Sequence, residues 1–346
     1  MRDLTPTSPA GYAAFEAGVR PPTERIDEGA AVCAVELPPG GIVTSTLCYL
    51  FRGAGSSGHL VDPGWNSDAG FAAIEESMAM LGVTTIDSVV TTHLHADHLG
   101  MAERIRDAYG AALVMSSTEW RTYLEVPDEN ERNVRYDEWG VPADRRPHLP
   151  QLTAVPDQSP RTEPDVLVSE GDVLDLGRNV TVLSTPGHTE GSISLVDTKH
   201  ELILTGDHVL PHIHPGLGLD YAAAGDPVGD YLEALERVAS FDGYDVLPGH
   251  GYRFRRLSER AAQIARHHLR RARQVADAVM TSENDPTVWE LASHLSWARG
   301  WDGLEGYFLN SALQQTAMHR RFVTSPRGER WLASEDVPWL TQHAAT

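Results

Sequence analysis

Between Thr91 and Gly100 the chain reads TTHLHADHLG, which puts His93, His95, Asp97 and His98 within six positions. His93 and His95 are two apart at the end of an apolar, β-branched run, IDSVVTTH, so their side chains project to the same side of an extended segment. Asp97 and His98 follow in the turn into a helical pattern, close enough to serve a second centre. Imidazole and carboxylate at this density suit a borderline divalent metal such as zinc. The alternative is a polar loop of histidines satisfied by their neighbours. With 16 histidines in 346 residues, H-x-H-x-D-H arises by chance only roughly a few times in a thousand such chains, which favours the metal.

Three further strand ends each deliver one candidate ligand: His188 in STPGHTEGS, Asp207 in LTGDHVL and His250 in VLPGHG. Taken singly, each is an ordinary turn after a strand. Their order and flanking glycines convert them.

In that order, T-x-H-x-H-x-D-H, P-G-H-T-x-G-S, T-G-D and P-G-H-G resemble the signature of the metallo-β-lactamase superfamily over roughly residues 31–252. Asp62 in LVDPGW matches that family's first motif, a buried aspartate behind a ligand. The resemblance implies an α+β fold, the αβ/βα sandwich of two mixed sheets flanked by helices, with metals at one edge between them. It also implies that His93, His95 and His188 hold one ion, that Asp97, His98 and His250 hold the other, and that Asp207 bridges them. The ions would be two Zn2+, with Fe or Mn compatible with the same ligand types. About 3.5 to 4 Å apart, they would share a hydroxide nucleophile, so no serine or cysteine is needed. Asp97 would also orient that hydroxide, and Asp62 would fix a ligand from behind.

Four such ligand-bearing loops need strands to carry them to one edge. AVCAVELPPG, STLCYLFRG and GHLVDPGW read as strands separated by glycine-rich turns. In NSDAGFAAIEESMAMLG, Phe71, Ile74, Met78 and Leu81 recur at helical spacing, with Gly82 as the stop. From Asp165 the pattern turns to short alternating strands, VLVSEGDVLDLG, NVTVLSTPGH, GSISLVDTKH and ELILTGDHVL, expected as successive hairpins. Residues 117–165 interrupt the rhythm and are too long for an ordinary connection, hence a lid or a mobile insertion. Trp120, Tyr123, Tyr136 and Trp139 there can line an acyl pocket, anchor the loop or bury a homodimer contact.

Beyond about residue 255 the chain becomes helical, so a catalytic domain is expected over 1–255 and a small tail over 256–346. A helix is expected to begin at Asp285-Pro286, and Trp289, Trp297 and Trp301 read as core of the tail. RFVTSPRGERWLAS reads as two short strands about a Ser-Pro-Arg-Gly turn, giving a winged-helix-like tail similar to that of the branch including lactamase-β-like protein 2.

Substrate class is less sharply written. Lys plus Arg number 28 against 49 Asp plus Glu, a net charge of −21 that repels polyanions and argues against a general nucleic-acid binder. Asp207 stands where β-lactamases of this superfamily lack a bridging carboxylate, and the long insertion of its nucleic-acid-processing branch is absent between Asp207 and His250. The expected activity is hydrolysis of a small acyl substrate, neutral or anionic: a thioester, ester or lactone. The alternative is a metal-dependent phosphodiesterase or ribonuclease. It draws on residues 253–273, which carry eight arginines and one glutamate, either a solvated face or an anion site. His212, His214 and Tyr221 in the loop after Asp207, and Arg255 after His250, are candidate substrate contacts. His148, His267, His268, His294 and His319 have no motif context and read as surface or packing residues. Only two cysteines, Cys33 and Cys48, and no run of membrane-spanning length point to a cytoplasmic protein.

Overall fold

Ala30–Glu36 and Ser45–Arg52 are buried at nearly every position, and a strand without a polar face must be covered on both sides. In the computed structural model, which describes residues 4–125, 135–146, 149, 162–218, 225–297, 300–333 and 339, they become β3 and β4 of a seven-stranded sheet. That sheet runs β2 (Glu24–Asp27), β3, β4, β5 (Ser57–Val61), β6 (Thr85–Val90), β7 (Ala112–Ser116) and β8 (Val166–Val168). The second runs β1 (Thr5–Pro6), β14 (Phe254–Arg255), β13 (Asp245–Pro248), β12 (Leu202–Gly206), β11 (Ile193–Asp197), β10 (Asn179–Ser184) and β9 (Val173–Asp175). Both are mixed: β5 to β8 pair in parallel, as do β12 and β13, and the remaining pairs are antiparallel.

Strand alternation assigns the two faces of the first sheet. Ala30, Val32 and Ala34 point inward and pack with Val180, Leu195 and Leu204 of the second sheet. Ala31, Cys33 and Val35 point outward beneath Ile74, Met78 and Ile105. Those residues belong to α2 (Asp68–Leu81) and α4 (Ala102–Tyr109), which follow α1 (Pro9–Glu16) and a short α3 (Ala96–Leu99). Ser67 Oγ accepts from Gly70 N at 3.0 Å to start α2, and Gly82, at φ 68°, ends it. On the far face of the second sheet lie α6 (Pro227–Val238) and α7 (Leu257–Thr281), after α5 (Ser117–Leu124). Leu232, Leu235, Ala261 and Ile264 pack there with Ile203 and Val246. The layers are therefore helix, sheet, sheet, helix, the α+β sandwich expected.

Three local expectations change. Val166–Val168 does not pair with the strands after it but joins β7 in parallel, because Gly171 turns the chain into the other sheet. The helix expected at Asp285 begins at Val288, where Thr287 and Glu290 form a capping box. That helix is α8 (Val288–His294), followed by α9 (Gly306–Val323) and α10 (Pro326–Ala333). Of the ribbon expected over 321–334, residues 321–323 end α9 and Pro326–Ala333 form α10, and among the described residues no strand follows Arg255 and no wing is formed. Ser325 Oγ accepts from Gly328 N at 3.0 Å, so Ser-Pro-Arg-Gly is a helix start with proline in the first turn.

The described parts of the insertion are anchored on two sides. Trp120 packs on the outer face of the first sheet, whereas Tyr136, Trp139 and Val141 pack with α8 and α9. Among the described residues no helix is long and apolar enough to cross a membrane.

Candidate metal centre

Strand ends deliver the motif residues to one edge of the sandwich. His93, His95, Asp97 and His98 follow β6, His188 follows β10, Asp207 follows β12 and His250 follows β13. His95 Nδ1 lies 2.9 Å from His93 Nε2 and 3.1 Å from His188 Nε2. His250 Nε2 lies 3.3 Å from His98 Nε2 and 3.3 Å from Asp97 Oδ2. Asp207 stands between the two groups, with Oδ1 3.4 Å from both His98 Nε2 and His250 Nε2, and Oδ2 3.7 Å from His188 Nε2. All seven side chains converge. Asp62 sits behind them, accepting from Thr92 N, Thr92 Oγ1 and His98 Nδ1, each at 2.8 Å.

Partners on the outer side fix which nitrogen of each ring faces inward. His188 Nδ1 donates to Gly216 O at 2.7 Å and His250 Nδ1 to Ser45 O at 2.8 Å, since a carbonyl only accepts. His98 Nδ1 donates likewise to the Asp62 carboxylate. Each of these rings, when neutral, aims a bare lone pair inward. Two lone pairs 3.3 Å apart, those of His98 and His250, repel unless a proton or a cation lies between them. Asp207 Oδ1 is buried and accepts no hydrogen bond, its two imidazole neighbours at 3.4 Å being electrostatic contacts only. A Cβ on Gly249 would come within 2.5 Å of that same oxygen, so the sequence keeps the space open. The donor set fits a divalent cation.

Charge divides the cluster. Burial and the neighbouring imidazoles hold His93 well below the ordinary histidine value and His95 down to about 4, and burial lowers His188. Burial opposes the charged form of His98 and His250 too, but Asp62, Asp207 and Asp97 override it, raising His98 well above and His250 to about 10. Both Asp97 and Asp207 are correspondingly held below the carboxylate range despite burial. One half offers neutral imidazoles; the other holds positive charge that an incoming cation would displace.

The cluster opens into a cavity of about 570 Å³. His95, Asp97, His188, Asp207 and His250 form its floor; Ile42, Val43, Tyr136, Trp139, Trp297 and Tyr307 form apolar walls. The walls come from the loop before β4, the insertion and the tail.

A family model described as the metallo-beta-lactamase superfamily matches residues 41–250. The chain belongs to the metallo-beta-lactamase superfamily. Within the superfamily it is similar to a probable metallo-hydrolase, YqjP, of Bacillus subtilis, 26% identical over 84% of this chain and 98% of that protein. It is 30% identical to the acyl-coenzyme A thioesterase MBLAC2 of Gallus gallus, over 61% of this chain and 72% of the relative. A metallo-beta-lactamase family protein from Thermus thermophilus shares the fold at TM-score 0.68 and 24% identity, covering 86% of this chain and 94% of that one. So does a beta-lactamase domain protein from Burkholderia ambifaria, at TM-score 0.71 and 22% identity, over 96% and 94% of the two chains. The expectation of a metal-dependent hydrolase is met at the level of this superfamily.

Other candidate residues fare unevenly within this superfamily frame. His214 lines the cavity, whereas His212 packs on Phe15 in a tilted arrangement, ring centroids 4.7 Å apart, and does not line it. Arg255 is exposed on β14 and does not reach the cavity, because alternation sends Phe254 into the core and Arg255 outward. Tyr221 and His148 lie outside the described residues. His267, His268 and His319, read from sequence as surface or packing residues, line the cavity.

One buried carboxylate went unread. Glu119, fully buried in α5, accepts from Leu94 N at 2.7 Å, Thr189 Oγ1 at 2.9 Å and Gly191 N at 2.9 Å. It ties the loop that carries His93 and His95 to the loop that carries His188.

Proposed function

We propose that the protein is a dinuclear zinc-dependent hydrolase of a small acyl substrate, a thioester, ester or lactone. The observation that carries this reading is a cavity with apolar, largely aromatic walls on one side, whose floor is the His and Asp cluster. Such a chamber suits an acyl body with its carbonyl carbon on the floor. Similarity to an acyl-coenzyme A thioesterase supports the same substrate class.

His93, His95 and His188 would hold one ion, Asp97, His98 and His250 the other, and Asp207 would contact both. Bound there, the ions would supply an activated water at neutral pH and polarise the acyl oxygen. Asp97 lines the cavity floor and would accept the hydrogen bond that aims the attacking water. Asp62 would hold the His98 ring in the tautomer that faces inward. The aromatic walls exclude bulk water and orient the acyl chain.

A phosphodiester substrate draws little support from the basic stretch. Arg253 pairs with Glu24 and Asp245, Arg256 pairs with Glu259, and Arg260 is buried against the carbonyls of Leu210 and Ile213. Of the eight arginines in residues 253–273, Arg271 alone lines the cavity. Metal analysis of the purified protein, with parallel assays on acyl thioesters, aryl esters, lactones and bis(aryl) phosphates, tests the reading. Chelator-sensitive turnover of acyl compounds is expected; turnover of the phosphodiester alone would overturn it.

A further inference from the structure

One wall of the cavity has no part in the chemistry above. His214, in the loop after Asp207, stacks on His267 with ring centroids 4.0 Å apart and planes 7° from parallel. Next to it, His268 stacks on His319, centroids 5.6 Å apart, and Arg271 lies one helical turn from His267 and His268 on α7. All five line the cavity. His268 is 3% exposed and neither ring nitrogen has a hydrogen-bond partner; His319 is 1% exposed and its Nε2 has none. Buried polar atoms left without partners are rare in folded proteins and call for a ligand or an ordered water.

Charge identifies that ligand. Among the described residues the only carboxylates lining the cavity are Asp97 and Asp207, both on its floor. Burial lowers all four histidines, and the charges acting on them, the other rings with Arg260, Arg270 and Arg271, lower them further. A chain with a net charge of −21 has thus gathered five cation-forming groups along one wall, with no carboxylate among the described residues of that wall. His319 Nδ1 donates to Gln315 O at 2.7 Å, so its Nε2 can meet an anionic oxygen only when protonated.

We propose that this wall is an anion subsite that binds a carboxylate carried by the substrate at the end remote from its scissile bond, with uptake of a proton. The substrate class is then an ω-carboxyacyl thioester or ester, a refinement that rests on the acyl-hydrolase reading for its catalytic consequence. A carboxylate is favoured over a phosphate because Arg271 is the one permanent cation among these five groups, the others being histidines that charge only on binding.

Binding is tested calorimetrically on the metal-loaded protein with succinate, glutarate and adipate against monocarboxylates of equal length. Each pair shares the carboxylate that can reach the metals, so the difference isolates the second one. At least one dicarboxylate should bind about 10-fold or more tightly than its partner, the effect of one hydrogen bond to a charged group. It should take up close to one proton, read from the dependence of the heat on buffer, and His319→Gln should abolish both differences. Equal affinities, or a preference unchanged in His319→Gln, would overturn the subsite, and inorganic phosphate binding more tightly at the same His319-dependent place would overturn the carboxylate. Wild-type proton uptake needs no variant, so a poorly folded His319→Gln leaves the test intact. In turnover, an ω-carboxyacyl thioester should exceed its neutral analogue in kcat/KM by a similar factor. Dicarboxylate binding without turnover of any acyl compound would sink the proposed activity and leave the subsite standing.

Discussion

Asp62 and His98 face each other at 2.8 Å inside the protein, and Asp62 holds that position from a backbone at φ 52°, in the left-handed region. Asparagine tolerates this region better than other L-residues, so Asp62→Asn separates charge from conformation. The amide keeps one acceptor but loses the negative charge that fixes the His98 proton on Nδ1. We expect a folded protein whose weaker metal equivalent loses about 10- to 100-fold in affinity, the usual cost of removing a partner behind a ligand. Metal titration followed by mass spectrometry under native conditions checks this; an unchanged second equivalent would show that Asp62 does not govern the His98 tautomer.

Glu119 makes a different prediction, because it touches two loops rather than one ring. Glu119→Ala would strand the donors of Leu94, Thr189 and Gly191 in a fully buried place. A loss of about 2 kcal/mol or more is expected in chemical denaturation, from unsatisfied buried donors. Glu119→Gln, which can still accept from two of them, should cost less while weakening the equivalent held near His93, His95 and His188. If Glu119→Ala were as stable as the parent, the two loops would be positioned by something else.

The motif residues were legible because ligands crowd into short loops at strand ends, where H-x-H-x-D-H has few other uses. Glu119 was not, since a lone acid in an amphipathic helix looks the same whether it faces solvent or bridges two loops from within. His268 and His319 failed for a related reason. They lie on α7 and α9 at positions where helical periodicity reads simply as inward-facing, and only the packing of those helices against the His214 loop reveals that inward here means toward a cavity. The alternating strands after Asp165 show a limit of another kind: period two says that Val166–Val168 is a strand, but not which of two sheets it joins. In the tail, Ser325-Pro326 suits a turn and a helix start equally well by composition. The start is favoured by Gly328, where a Cβ would fall 1.9 Å from Phe322 O at the junction of α9 and α10.

Acid should destabilise the protein through the histidine wall. Burial lowers His214 to about 3 and His267 and His319 to about 4, against an ordinary value of 6.5. Between pH 6.5 and 4 the unfolded chain therefore binds protons at these positions that the folded chain refuses, so stability falls as pH drops through that window. Urea midpoints at about pH 7 and about pH 5 test it: the drop should be smaller in His319→Gln than in the parent. A dicarboxylate in the cavity should shrink it further by supplying the missing counter-charge. Equal drops in parent and variant would remove His319 from the account.

Asp207 stands between the two halves of the cluster, its oxygens 3.4 Å from His98 and His250 and 3.7 Å from His188. Without it, Asp97 is the one carboxylate left on the cavity floor among the described residues, and two dications would be held side by side with too little negative charge between them. Asp207→Ala should retain one equivalent of metal rather than two, and hydrolysis should fall by more than about 100-fold, beyond the cost of losing a partner behind a ligand. In the metal-free protein the same change should also release His250, which Asp207 and Asp97 hold protonated up to about 10. Its titration, followed by the ring-proton chemical shift, should move downward toward the ordinary histidine value. Retention of two tightly bound equivalents in Asp207→Ala would mean that the ions are held without a bridge.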